Sequence, residues 1–317
     1  MNYLDEGALH LDGIIVTNKP YGATSHQVVQ LVRRLFPGKK AGHSGTLDPI
    51  ATGVLPVCLG RATRIAEYII EHPKTYRAAV TLGKTTDTDD SEGAITGTCA
   101  VPDLDRNRVE EILSGFQGNI EQLPPMYSAV KYQGKPLYHW TRSGREVPRK
   151  SRRAEIYWIE LLEFNPDSEP QLVFDVQCSK GTYIRTLAVD IGLAAGCGGH
   201  LQALTRLAVG PYGLDNASTP EMIEKLSREE RFDELIKPMD SALTFMPALY
   251  LDHVKVEALK NGQVIKIEDA ETGEHPQEGG SGEMVRIYDN EDGFKAIALM
   301  EKRKAGTRLK TVKYLAP

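Results

Sequence analysis

The order in which strand-like and helix-like segments follow one another is what most constrains the fold of this chain. Residues 13–18 read as a short buried strand. Residues 24–36 read as a helix, because Val28, Leu31, Val32, Leu35 and Phe36 recur at helical spacing until Pro37-Gly38 stops the run. Residues 74–83 alternate Tyr76, Ala78, Val80 and Leu82 on one face and predict a strand, whereas the polar run 84–97 predicts a loop. A helix is expected over 106–116, where Val109, Ile112, Leu113 and Phe116 make one stripe, then strands over 154–164 and 171–178. Residues 182–195 read as a helix ended by Gly196, and Ser218-x-x-Glu221 enclosing Pro220 signals a short helix through Leu226. Strict strand-helix-strand alternation is missing, so the expected class is α+β built on a mixed sheet.

Past Pro247 the texture shifts. Residues 254–267, 283–289, 294–300 and 308–314 look like short strands around the Gly/Glu-rich loop 272–282, which suggests a small β-rich module. The division expected is a main domain over 1–247 and a C-terminal one over 248–317.

No run approaches the ~18 uninterrupted apolar residues of a membrane span, and residues 1–12 lack the basic start and apolar core of a signal peptide. A cytoplasmic protein is expected. Cys58, Cys99, Cys178 and Cys197 lie far apart without a Cys-x-x-Cys pair, so they signal neither a zinc clip nor a redox pair and read as reduced packing residues. The net charge of −5 argues weakly against a polyanionic partner, but its distribution argues the other way. Residues 131–153 carry Lys131, Lys135, Arg142, Arg145, Arg149, Lys150, Arg152 and Arg153 against Glu146 alone, and residues 302–313 hold six cations and no acid. The first of these segments interleaves its charges with Tyr132, Tyr138, His139 and Trp140 between glycines and prolines, a pattern suited to phosphate contacts and base stacking.

Residues 42–53 pack three glycines, His43 and Asp48 among small side chains, as a loop that approaches a ligand closely would. A hydrolase elbow needs Gly-x-Ser-x-Gly, whereas here glycine follows Ser44 directly, and a phosphate loop needs its lysine after the glycines. Asp48-Pro49 suits a helix N-cap followed by proline at the first helical position. It also suits an aspartate acting as nucleophile or base. A single carboxylate argues against ordinary glycoside hydrolysis, which commonly uses two.

At these residues the sequence resembles the bacterial tRNA pseudouridine-55 synthases, the TruB family. The match is carried by Asn18-Lys19-Pro20-x-Gly22-x-Thr24-Ser25, by the run from Gly42 through Asp48-Pro49 to Leu55, by Gly60-Arg61-Ala62-Thr63-Arg64, and by Lys74-x-Tyr76. It continues through Pro124-Pro125-x-Tyr127-Ser128-Ala129-Val130-Lys131, Cys178-Ser179-Lys180-Gly181-Thr182-Tyr183-Ile184-Arg185, Cys197-Gly198-x-His200-Leu201 and Leu204-x-Arg206. The resemblance implies a cofactor-free isomerase that detaches uracil from C1′ of uridine 55 in the tRNA T loop, turns it and rejoins it through C5. Asp48 falls on the family's essential aspartate, as nucleophile at C1′ or base at C2′. Tyr76 falls on the tyrosine lying against the target base. Arg185 falls on the arginine that would hold Asp48 ionised and oriented. Tyr183 matches a substrate contact, Leu204 an apolar residue lining the uracil pocket, and His43 a histidine that fills space opened when the base flips out.

The same resemblance makes residues 124–153 an RNA-gripping insertion, with Lys131, Arg142, Arg145, Arg149, Lys150, Arg152 and Arg153 as RNA contacts, and makes the C-terminal module a PUA-like RNA-binding barrel. It implies a tRNA T stem-loop as partner, no metal, no membrane, and a monomer without an obligate protein partner. A second reading is a tRNA-folding factor in which chemistry is secondary. A third is the guide-RNA-dependent relative of archaea and eukaryotes, against which the basic insertion and modest length count.

Overall fold

A computed structural model describes residues 11–128, 130–145, 147–267, 282–290, 293–303 and 306–316. The first element among the described residues is β1 (Gly13–Lys19), buried along nearly its whole length. Ile15 faces one apolar cluster, and Ile14 and Val16 face another on the opposite side. Helix α1 (Ser25–Leu35) starts where Thr24 accepts from the Gln27 backbone N–H and Gln27 reaches back to the Thr24 N–H, a reciprocal cap. It lays Val28, Val29 and Val32 on the first cluster. Next come β2 (Ala41–His43) and β3 (Ala51–Leu59), then α2 (Ala66–Glu71), β4 (Lys74–Leu82) and a ribbon of β5 (Lys84–Thr86) with β6 (Ile95–Thr98).

Helix α3 (Arg106–Ser114) is capped by Asp105 and leads to β7 (Gly118–Gln122). The basic insertion contains the two-residue strands β8 (Lys131–Tyr132) and β9 (Lys135–Pro136) and helix α4 (Leu137–Arg142), then runs into β10 (Arg152–Asn165) and β11 (Gln171–Cys178). Helix α5 (Ile184–Ala194) and β12 (Gly199–Val209) follow, then β13 (Tyr212–Gly213), α6 (Pro220–Arg228), α7 (Phe232–Leu235) and β14 (Ile236–Lys237).

Ten of these strands form one mixed sheet in the order β14-β1-β3-β12-β4-β11-β10-β7, with β2 added to β3 and β13 to β12, while β5–β6 and β8–β9 are separate two-stranded ribbons. The pair β3–β12 is parallel and its neighbours are antiparallel. Helices α1, α3, α5 and α6 supply apolar side chains to the core on one face.

The remaining elements are β15 (Ala248–Leu251), α8 (His253–Lys260), β16 (Ile265–Ile267), β17 (Glu283–Asp289), β18 (Gly293–Arg303) and β19 (Gly306–Tyr314). Their five strands curl into a half-barrel, ordered β15-β17-β18-β19-β16, around its own apolar cluster. Ile297 and Leu315 also join the core on the second face of the large sheet. Arg61 and Arg64 donate to the Leu315 and Tyr314 carbonyls, and Lys313 pairs with Glu67, so the half-barrel is seated against the region around α2.

The expected α+β class with a mixed sheet holds. Three local expectations are corrected. The polar run 84–97 is not a plain loop, because its ends pair as β5 and β6. Residues 254–260 are helical rather than extended, since Asp252 accepts from the Lys255 N–H and Val256 and Leu259, three apart, share the buried face. The cap of α6 is Thr219, not Ser218, and it accepts from the Met222 N–H. Two strands that the apolar pattern did not separate from their surroundings, β3 and β12, form the centre of the sheet. The loop 272–281 lies outside the described residues.

Gly53 marks the tightest approach between those two strands: its φ is +101°, and a Cβ there would lie 2.3 Å from the Arg206 carbonyl oxygen. Gly53→Ala is therefore expected to cost about 2–4 kcal/mol, from left-handed strain plus a backbone clash. A fall in the urea midpoint with unchanged m would show it, and a midpoint equal to that of the native chain would contradict it.

Candidate active site

Asp48 sits in the turn between β2 and β3, and its backbone oxygen accepts from Ala51 at 3.0 Å. The chain continues into a strand rather than a helix, so Asp48-Pro49 is not a helix cap. Two clasps hold this turn. Ser25 Oγ donates to the Leu47 carbonyl at 3.0 Å and accepts from the Leu47 N–H at 2.8 Å. Lys19, with none of its surface exposed, donates Nζ to the carbonyls of Pro20, Ala23 and Pro49 at 3.0, 2.6 and 3.3 Å. The carboxylate, in contrast, stays 39% exposed and opens into a cleft of about 270 Å³.

Arg185, on the first turn of α5, pairs with Asp48 Oδ2 through Nη2 at 2.9 Å while its own side chain is only 6% exposed. Its remaining donors are directed: Nη1 to the Thr88 carbonyl at 3.2 Å and Nη2 to the Tyr127 carbonyl at 2.7 Å. Nε lies 3.9 Å from the buried carboxylate of Asp90. Asp90 is itself fixed by the Thr88 hydroxyl and the Glu92 N–H. A guanidinium held from three sides has little rotamer freedom left, so it orients Asp48 with little entropy lost at the moment of use.

Tyr76 on β4 forms another wall. Burial pushes its phenol above the ordinary value, partly countered by the adjacent Arg206, which hydrogen-bonds it. The ring therefore presents a protonated hydroxyl at neutral pH. Arg206, on β12 and 1% exposed, also donates to the carbonyls of Val54 at 2.7 Å and Gly45 at 3.1 Å. Leu204, two residues earlier on the same strand, is buried against the cleft, and Tyr183 lines it with its main chain bonded both ways to the Gln122 side-chain amide.

Asp48, Tyr76, Tyr183, Arg185 and Leu204 thus converge on one cavity from five separate elements or turns. His43 does not line it. It lies on β2 opposite Val57, its buried Nδ1 has no hydrogen-bond partner among the described residues, and burial followed by the Arg206 charge lowers its basicity. Asp90, Lys19, Lys74, Tyr127 and Arg206 belong to the same constellation and had no role assigned from sequence. Lys19 carried a usable signal, as a cation closing the mostly apolar run of β1.

The basic insertion is more divided than its charge count suggests. Lys131, Arg145, Lys150, Arg152 and Arg153 are exposed, whereas Arg149 is partly buried and donates to the Pro124 carbonyl at 2.9 Å. The side chain of Arg142 lies outside the described residues. Tyr132 and Trp140 pack edge to face on each other, ring centroids 6.0 Å apart. In the second basic segment, Lys313 is taken up by Glu67 and the Tyr68 ring, while Lys304 lies outside the described residues. The four cysteines are free, and the described residues contain no cluster of His, Cys, Asp or Glu arranged to hold a metal ion. Among the described residues no helix is long and apolar enough to cross a membrane.

The model of the TruB family pseudouridylate synthase N-terminal domain matches residues 33–184, and that of the tRNA pseudouridylate synthase B C-terminal domain matches residues 185–244. The chain belongs to the TruB family. It is 45% identical over 260 residues to the tRNA pseudouridine synthase B of Chromohalobacter salexigens, covering 82% of this chain and 83% of that one. It is 42% identical over 302 residues to the protein of that name from Francisella tularensis subsp. novicida, covering 95% of each. Among solved structures, this TruB-family chain resembles one titled as a Cbf5-Nop10-Gar1 complex, with a TM-score of 0.74 at 27% identity over 98% of this chain and 87% of that one. It also resembles an H/ACA RNP bound to a substrate RNA containing 2′-deoxyuridine, with a TM-score of 0.71 at 25% identity over 97% of this chain and 86% of the other.

The buried cations leave a titration signature. Burial lowers the Lys19 ammonium from its ordinary 10.5 to about 8, against the pull of Asp48. Because the folded value lies below the unfolded one, the unfolded chain holds the extra proton between about pH 8 and 10.5, and the stability due to this group rises with pH across that window. The unfolding free energy of the native chain minus that of Lys19→Met, followed by urea titration, should therefore climb through the window. A difference that stays level with pH would contradict the assignment.

Proposed function

We propose that this chain converts uridine 55 in the T loop of tRNA to pseudouridine, with Asp48 as the group that acts on the sugar. The observation that carries the reading is the Asp48–Arg185 pair at 2.9 Å, placed in a cleft walled by Tyr76 and Leu204, with the carboxylate the more exposed partner. Relatives covering most of the chain bear the name tRNA pseudouridine synthase B.

The chemistry fits the side chains. Breaking the N1–C1′ bond leaves positive charge on the ribose, which a carboxylate captures by attack at C1′ or relieves by taking the C2′ proton. The freed uracil turns within the cleft, and C5 bonds to C1′ as the carboxylate leaves that carbon or as the C2′ proton is returned; C5 then loses its proton and N1, whose bond was broken, gains one. Product and substrate are isomers, so no electrons or groups are supplied from outside. Tyr76, kept protonated by burial, stacks on the ring and hydrogen-bonds it. A uridine reaches the carboxylate only after leaving its stack, at a cost of a few kcal/mol.

The exposed cations of the insertion, Lys131, Arg145, Lys150, Arg152 and Arg153, are assigned to the phosphates of the T arm. Residues 1–247 act as the catalytic unit and 248–317 as a PUA-like RNA-binding unit of a monomer working in the cytoplasm.

The test uses tRNA transcript tritiated at uridine C5. Native protein is expected to release tritium from position 55, and Asp48→Asn to release none while still binding tRNA. Equal release from both would sink the catalytic reading, and loss of binding in Asp48→Asn would remove the option of a separable tRNA-folding role. Tyr76→Phe keeps the ring and loses the hydroxyl. It should hold KM within about threefold while kcat falls on the order of 10²-fold or more, and an unchanged kcat would leave the phenol only a packing role.

A further inference from the structure

One ion pair lies at the rim of the cleft. Glu71, the last residue of α2, receives Lys180 Nζ on both carboxylate oxygens, at 2.6 and 2.5 Å. Lys180 lies in the turn between β11 and α5, five residues before Arg185. Lys180 and Ile70, the neighbour of Glu71, both line the cleft, so the pair borders it. Both side chains remain more than half exposed, at 53% and 56%. Exposed pairs of this kind are individually weak and exchange readily for a better anion.

The rim is also electrostatically unusual. Directly inside it sits Lys74, which donates Nζ to the Ile70 and His72 carbonyls and whose basicity is lowered first by burial and then by two further cations, Arg206 and Lys180. Glu71 acts on Lys74 in the opposite sense. The charged groups facing this rim are thus Lys74, Lys180 and Arg206 against Glu71. Two of the cations already have local acceptors: Lys74 holds two main-chain oxygens, and Arg206 holds two more and the Tyr76 phenol. Lys180 alone of the three is held by an exposed carboxylate, the kind of partner that a phosphate replaces at little cost. Ile70 and the turn Ser179–Gly181 line the rim beside it.

The geometry points to Lys180 as a phosphate-binding residue for the RNA strand entering the cleft, with Glu71 as an internal stand-in for that phosphate which RNA must displace. This rests on the tRNA reading above and names a contact and a competing carboxylate within it. In the free protein Glu71 occupies the lysine, and a correctly docked strand takes it over. Exchange makes the two partners unequal. Lys180 serves both states, whereas Glu71 serves only the free one and competes with substrate.

The inequality is what the experiment reads. Binding of T-arm tRNA to native protein, Glu71→Gln and Lys180→Gln is measured by filter retention across a salt series, with thermal melting as a control for folding. Glu71→Gln is expected to tighten binding at least threefold and to keep the native salt slope. Lys180→Gln is expected to weaken binding about tenfold at moderate salt and to reduce the slope of log K against log salt by about one, the signature of one lost phosphate contact. If the pair is merely structural, both variants melt earlier and weaken together. That result, or a Lys180→Gln slope equal to the native one, overturns the proposal while leaving the tRNA reading intact. If the native chain neither binds nor modifies tRNA, the reading itself fails and this contact with it.

Discussion

The burial of Arg206 is the constraint on which the site depends. A guanidinium taken out of water carries a penalty of several kcal/mol unless its donors are met, and here the Val54 and Gly45 carbonyls and the Tyr76 phenol meet them. Those acceptors belong to β3, to the turn before Asp48 and to β4. One charge therefore stitches together the central strands and the loop that carries the carboxylate. The same logic recurs in Lys19, whose three carbonyl partners flank the turn at Pro49. The site is organised by buried cations bonded to main chain, and Asp48 is the anion they leave accessible.

How far the sequence foretold this differs by level. Amphipathic helices such as α1 and alternating strands such as β4 and β11 were legible because one face of each is buried, which writes a period into the residues. β3 and β12 were not, because β3 is apolar on both faces and β12 mixes small, polar and charged residues that satisfy long-range partners. Helix α8 is not legible because Val254 and Val256 imitate strand alternation, and its decisive feature is the Asp252 cap. At the site, the glycine-dense segment around Asp48 and the resemblance to a known family marked five residues that do share a cavity. The couplings that fix them, Asp90 with Arg185 and Arg206 with Tyr76, link positions roughly a hundred residues apart, and no local pattern encodes such distances.

Charge placement follows from the same economy. The chain totals −5, yet the groups around the cleft are mainly cations, and exposed arginines and lysines of the insertion extend that field outward. Acidic residues elsewhere keep the average surface unattractive to polyanions, so affinity concentrates where a strand can also be shaped. The half-barrel contributes less free charge than its composition suggests, because Lys313 is committed to Glu67 and the Tyr68 ring.

The parallel pairing of β3 with β12 also governs when the protein can become an enzyme during its synthesis. Gly53 must meet Arg206 across a sequence separation of more than 150 residues, and Arg185 must return to Asp48 over nearly as many. Contacts that distant form late, after the loop between them has been closed at an entropic cost. A nascent chain leaving the ribosome from its N-terminus thus exposes Asp48 long before it has the arginine that orients it or the strand that shapes its cavity. Throughout that interval the carboxylate lacks both, and the cleft is complete only once β12 has joined β3 and β4 in the sheet.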